Sequence, residues 1–156
     1  MSEPLVSVGL VTWDSAAYLE ACLAALAQQD HPRIELLVVD NGSRDDSLQL
    51  VAQVCPTATI IRNAENTGFC HAHNQGIEAS AGDYYLALNP DIEMRPGYLS
   101  ALVHALEADR TYGTAVGKLL LLPGEASGYR FDSAGLFLDR RRRQFLRGLG
   151  EMDHGQ

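Results

Sequence analysis

The chain has 156 residues, 46% of them hydrophobic and 21% charged, enough to bury one real core over a length that suits a single domain. A formal net charge of −8 excludes a nucleic-acid backbone as the expected partner, because such binding rests on clustered Lys and Arg neutralising phosphates. An anionic ligand would need a metal ion or backbone N–H groups for compensation.

Cys22, Cys55 and Cys70 form an odd set without C-x-x-C spacing, which predicts reduced thiols in an intracellular protein. The chain opens without a basic start and long apolar run, and no stretch approaches the ~20 apolar residues of a membrane span. The expected location is cytoplasmic, with peripheral contact at the inner face of the membrane left open.

Leu5–Trp13 reads as a strand covered on both faces, because its apolar run is nearly continuous and β-rich. Asp14 or Ser15 then caps a helix marked by Tyr18, Leu19, Cys22, Leu23 and Leu26, which Asp30-His31-Pro32 breaks. Ile34–Val39 is a second buried strand, ending in Asp40-Asn41-Gly42-Ser43. Ser43 suits an N-cap, with Asp45 and Asp46 in the first turn and Leu48, Val51 and Cys55 on the buried side.

Ala58–Arg62 makes a short third strand, and the turn Asn63–Gly68 leads into a helix from about Phe69 to Ser80, closed by Gly82. Tyr84–Leu88 suits a fourth strand. Pro90 removes a ladder donor and restricts Asn89 to extended geometry, so Asn89-Pro90-Asp91 is an acidic turn at the strand's carboxyl end. Pro96 occupies a first-turn position of a fourth helix whose apolar side is Leu99, Leu102, Val103 and Leu106. Gly113–Leu122 reads as a fifth strand, Pro123–Gly128 as an exposed loop, and Tyr129–Asp132 and Leu136–Leu138 as short strands beyond it. The alternation of strand and helix through Leu122 predicts an α/β domain, a mostly parallel sheet with helices on both faces.

With the first strand between the second and fourth, three strand ends converge: Trp13-Asp14, Asp40-Asn41 and Asn89-Pro90-Asp91. That is the switch-point geometry at which such sheets bind nucleotides. The first βα turn has no glycine, so a dinucleotide cradle is absent, and so is a P-loop. Asp91 beside the carbonyl-bearing Asn89 is enough to hold Mg²⁺ on a diphosphate; the same residues also make an ordinary strand-ending turn. Asp40 either accepts hydrogen bonds from a base or ribose, or binds local backbone N–H groups. His71 and His73 project to different sides of their helix, which disfavours a metal pair. Arg140–Arg143, with Arg130 and Arg147 near, is the single basic cluster, either a solvated edge that deters strand pairing or a surface for phosphates or an anionic membrane.

Four segments in order, Val6–Asp14, Glu35–Asp45, Asn66-Thr67-Gly68-Phe69 through Asn74-Gln75-Gly76-Ile77, and Leu88-Asn89-Pro90-Asp91, resemble the family 2 glycosyltransferases of the GT-A fold, particularly their rhamnosyltransferase-like branch. The resemblance implies a Rossmann-like domain using a nucleotide-diphospho-sugar donor, commonly a UDP- or dTDP-sugar such as dTDP-rhamnose. Mg²⁺ or Mn²⁺ is the implied cofactor, and polysaccharide or cell-surface glycan synthesis the implied role. It further implies that Asp40 meets the nucleobase, that Thr12, Trp13 and Asp14 line base and ribose, and that Asn66, Gly68 and Asn74 border nucleotide and sugar. Asn89-Pro90-Asp91 falls at the family's D-x-D position, with Asp91 as metal ligand. Asn89 replaces an acid common in relatives, and Asp14 stands where many carry Asn.

Relatives of this branch continue into an acceptor-binding half that supplies the general base, and no residue here matches it. The expectation is one incomplete GT-A domain, with residues 1–122 as nucleotide-binding core and 123–156 as the start of the acceptor-side region, inactive alone. The full-length parent would take a glycan or lipid-linked acceptor. A non-catalytic nucleotide-sugar-binding or assembly module is the alternative. An uncovered sheet edge would favour a homodimer through Leu119–Leu122 or Tyr129–Leu138.

Overall fold

The structure is a computed structural model that describes residues 3–122 and 128–155. It divides into two compact units, Met1–Val103 and His104–Gln156.

The first unit is built on four parallel strands, β1 (Val6–Thr12), β2 (Ile34–Asp40), β3 (Thr59–Arg62) and β4 (Tyr84–Leu88), in the order β3-β2-β1-β4. The helices α1 (Ala16–Ala27), α2 (Ser47–Val54) and α3 (Phe69–Ala79) are the crossovers, and α4 (Tyr98–Ala108) follows β4. The expected central place of the first strand is therefore met.

Strand residues alternate between faces. One face presents Val6, Val8, Leu10, Val38 and Leu88 to a core with Leu19 and Leu23 of α1, Val51 of α2 and Leu99 of α4. The other presents Gly9 and Tyr85 to α3. A Cβ at Gly9 would lie 1.8 Å from the Tyr85 hydroxyl, and one at Gly76 of α3 would lie 2.5 Å from it. Glycine in mid-strand is thus explained by a tyrosine ring laid over β1, as expected of close approach.

Three helix starts differ from expectation. Helix α2 begins at Ser47, with Asp46 at the N-cap position: Ser43 Oγ is taken by the Asp14 N–H at 3.1 Å, and Asp45 accepts both from Ala16 N–H at 2.8 Å and from Ser47 N–H, the first of α2, at 3.0 Å. Ser15 precedes α1 without capping it through its side chain; the cap comes across the sheet from Asp45. Pro96 lies two residues before α4, whose Tyr98 N–H is met by the Arg95 carbonyl and whose Leu99 N–H is met by Gln29 Oε1, both at 3.1 Å.

The second unit corrects the fifth-strand expectation. Only Leu119–Leu121 (β5) is extended, and it pairs antiparallel with β6 (Arg130–Ser133) rather than joining the parallel sheet. Val116 is 70% exposed, so the apolar pattern of Gly113–Leu122 has no sheet face to bury. Phe131 of β6 is buried, under the Lys118 ammonium, which pairs with Asp153 at 2.8 Å. A hairpin of β7 (Leu136–Leu138) and β8 (Gln144–Leu146) follows, with Arg140–Arg143 in its turn. Residues 123–127 of the expected loop lie outside the described residues. Among the described residues no helix is long and apolar enough to cross a membrane.

Candidate functional site

The carboxyl ends of β1 and β2 are laced together by side-chain hydrogen bonds. Thr12 and Asp40 are Cα partners in the parallel ladder, and Thr12 Oγ1 donates to the buried Asp40 carboxylate at 3.1 Å. Asp40 also accepts from Ser43 N–H at 3.3 Å, so its local turn role is real. Asp14, at φ 47 in the left-handed region that aspartate tolerates better than most residues, accepts from Arg44 N–H at 2.7 Å. Ser15 N–H donates to Ser47 Oγ at 2.8 Å.

A second network holds the 63–68 turn against the end of β2. The side-chain amides of Asn63 and Gln75 bond reciprocally at 2.8 and 2.9 Å, while Asn63 and Thr67 both donate to Asn41 Oδ1 at 2.9 and 3.1 Å. Asn66 Oδ1 accepts from the N–H of Gly68, which enters α3 at φ 88. Gly42, at φ 77, backs onto this turn: a Cβ there would lie 3.0 Å from Glu65 Cα.

Between these two laced loops opens a cleft of about 310 Å³, lined by Trp13, Asp14, Gly42, Arg44, Ala64, Glu65 and Asn66. Trp13 is 57% exposed, a flat apolar platform beside two carboxylates and one guanidinium. Such a set can stack a heteroaromatic ring and accept its N–H groups.

Of the expected site residues, Trp13, Asp14 and Asn66 line the cleft, and Thr12 and Asp40 are buried at the strand ends that carry it. Gly68 caps α3. Asn74 is exposed on α3 and no described contact draws it toward the cleft. Asn89 and Asp91 are exposed just past β4, the strand that flanks β1 on the side away from β2. Asn41 was expected at a converging strand end, but Arg44, Glu65, Asn63, Thr67 and Gln75 were given no site role from the sequence; the clustering of Asn at 63 and 66 with glycines at 42 and 68 was the available sign.

The acidic turn is tied at one end to α1 and at the other to the residues just after that helix. Cys22 Sγ donates to Asn89 carbonyl oxygen at 3.7 Å, and Gln29 Nε2 donates to Arg95 carbonyl oxygen at 3.0 Å. Burial pushes the Cys22 thiol up to about 11, and the nearby charges of Asp91 and Glu93 push the same way. Among the described residues no group of three or more His, Cys, Asp or Glu gathers as a cation cage. One or two exposed carboxylates beside an amide fit a Mg²⁺-type ion that keeps waters and takes its remaining ligands from phosphates. His71 is exposed and His73 buried, so the two do not form a pair.

The fold is a Rossmann-like α/β arrangement of the GT-A class, with the cleft at the carboxyl ends of its parallel strands. The profile of "Glycosyl transferase family 2" matches residues 7–149, and the chain belongs to that family. It is 30% identical over 124 residues to a PGL/p-HBAD biosynthesis glycosyltransferase of Mycobacterium tuberculosis, covering 74% of this chain and 48% of the relative. It is 27% identical over 120 residues to a glycosyltransferase of Haemophilus influenzae, covering 75% and 37%. The chain spans less than half the length of either relative. Among solved structures, the mannosyltransferase PcManGT of Pyrobaculum calidifontis, in complex with GDP-Man and Mn²⁺, superposes with TM-score 0.67 at 28% identity over 75% of this chain and 36% of that one. TarS 1-349 of S. aureus in complex with UDP-GlcNAc gives TM-score 0.62 at 25% identity over 67% and 31%.

Proposed function

We propose that this chain is the donor-binding part of a nucleotide-diphospho-sugar transferase, with the base of a UDP- or dTDP-sugar against Trp13 and its diphosphate at Asp91. The observation that carries the reading is the Trp13 cleft at the joined ends of β1 and β2, one strand away from the acidic turn after β4. The nucleotide-sugar complexes of the two structural neighbours support a donor of this class. Resemblance favours a rhamnosyl donor such as dTDP-rhamnose and a role in polysaccharide or cell-surface glycan synthesis in the cytoplasm.

Asp91, with Asn89 beside it, would hold Mg²⁺ or Mn²⁺, which offsets charge on a diphosphate leaving group. Asp40 and Thr12 set the loop on which the base rests, and Asn66 and Gly68 border the ribose and sugar. Inversion at the anomeric carbon also requires a carboxylate that takes the proton of the acceptor hydroxyl. We assign that base to no residue here, and read residues 123–156 as the start of the acceptor side. The proposed acceptor is a glycan or a lipid-linked species.

The test is a thermal-shift panel of nucleoside diphosphates and their sugars, with and without Mn²⁺, on wild type and Asp91→Ala. A bound donor at a hundredfold excess over Kd stabilises the fold by about 2.7 kcal/mol. Absence of any nucleotide-dependent shift overturns the reading, and an undiminished Mn²⁺ effect in Asp91→Ala removes Asp91 from the metal role.

A further inference from the structure

The hairpin formed by β7 and β8 is exposed on both faces. Phe137 pairs with Phe145 across the ladder, and Leu136 with Leu146. Leu138 is 66% exposed, Leu136 55%, Phe137 49% and Phe145 48%. A two-stranded ribbon so apolar and so uncovered is marginal in water.

Its tip is strongly basic. Five of the twelve Lys and Arg residues fall within Arg140–Arg147, and Asp139 is the single acid between Leu136 and Leu149. That acid is consumed by the turn: it accepts from Arg141 and Arg143 N–H at 2.8 and 2.9 Å and pairs with Arg143 Nε at 2.8 Å. Arg140, Arg141 and Arg142 are left projecting from a turn that their own backbone has tightened. Arg142 sits at φ 60, a conformation that glycine or asparagine would adopt more easily.

Side chains join the two characters. The Arg147 guanidinium lies 5.2 Å from the Phe137 ring centre, and that of Arg143 lies 5.6 Å from the Phe145 ring. Guanidinium above and aromatic below is the arrangement suited to the boundary between anionic headgroups and acyl chains. A second copy is a poorer occupant, because it would bring the same arginines against these.

We propose that the β7–β8 hairpin is a docking element for an anionic lipid surface, its arginine tip among the phosphates and its Phe and Leu side chains in the interfacial layer. Every residue it uses lies between Leu136 and Leu149, so it stands or falls apart from the donor-site reading.

The test is co-sedimentation of the chain with vesicles of phosphatidylcholine alone or mixed with phosphatidylglycerol. Pelleting is expected with the mixed vesicles only, and about 1 M salt, where the screening length is ~3 Å, should release the protein. Each basic residue near an anionic leaflet strengthens binding about fivefold, so Arg140→Gln with Arg141→Gln and Arg142→Asn should weaken it on the order of a hundredfold. Phe137→Ser with Leu138→Ser should weaken binding while retaining the preference for phosphatidylglycerol. Unchanged thermal unfolding and circular dichroism in both variants report an intact fold. Equal binding of the arginine variant, equal affinity for neutral vesicles, or no pelleting at all would overturn the proposal. Self-association abolished by Leu138→Ser, without vesicle binding, would overturn it too and assign the hairpin to a second copy.

Discussion

Thr12 Oγ1 donates to Asp40 Oδ1 at 3.1 Å, joining the carboxyl ends of the two central strands through a pair of buried side chains. Asp40 also caps Ser43 N–H, so the same carboxylate that the donor reading assigns to the base is a structural part of the loop. Asp40→Asn is expected to cost about 1.5–3 kcal/mol, the range for a hydrogen bond to a charged group, and to weaken nucleoside diphosphate binding as well. Urea denaturation and calorimetric titration read the two effects separately. A destabilised but fully binding variant would confine Asp40 to the structural role.

Trp13 supports neither core nor cap, since more than half of it faces solvent. Stacking a base on an aromatic ring contributes about 1–3 kcal/mol. Trp13→Ala should therefore weaken nucleotide binding roughly 5- to 150-fold and leave the unfolding midpoint nearly unchanged. Quenching of the chain's single tryptophan on titration with nucleotide tests the contact in the wild type directly.

Gly42 meets two demands at once, a positive φ and a backbone neighbour 3.0 Å from where a Cβ would stand. Gly42→Ala should cost about 1–3 kcal/mol, the range for a residue held in a sparsely populated backbone region. Because the neighbour is the turn that walls the cleft, nucleotide affinity should fall with it. A variant as stable as wild type would show that the 64–65 turn moves freely.

His73 is buried under Phe69 and against Tyr85, whose hydroxyl lies 3.1 Å from Nδ1; its Nε2 has no hydrogen-bond partner among the described residues. Burial holds the imidazole below its ordinary 6.5. The unfolded chain then takes up the proton first as pH falls, so stability is full above about pH 6.5 and declines below it. Thermal midpoints should drop between about pH 7 and 5, and His73→Gln should flatten that part of the profile relative to wild type. Parallel profiles would remove His73 as the cause.

Cys22 is buried with its thiol pushed up to about 11, whereas Cys70 is exposed. Thiolate supply and access both govern reactivity. A thiol reagent at pH 8 should label Cys70 fast, Cys55 slowly, its thiol also raised by partial burial, and Cys22 only on unfolding. Mass analysis of labelled peptides over time checks the order; rapid labelling of Cys22 would mean that the Asn89 turn opens readily from α1.

The strands of the parallel sheet, the order of elements through α4 and the acidic turns at strand ends were legible in the residues alone, because buried parallel strands are written as local apolar runs and their ends as Asp, Asn, Gly and Pro. The segments Val6–Thr12, Ile34–Asp40 and Tyr84–Leu88 needed no partner to be recognised. What local pattern could not carry was which side chain meets which. Asp45 looks like a first-turn acid of its own helix and, besides meeting the Ser47 N–H there, also reaches the Ala16 N–H of a neighbouring helix; Gly9, a mid-strand glycine, is space for Tyr85; Gly113–Leu122 looks like a fifth parallel strand and pairs, over three residues, with β6. Each of these was decided by a contact between positions many residues apart in sequence. Whether an extended segment joins a sheet, or a polar side chain caps its own turn or another, depends on the surface that folding brings beside it.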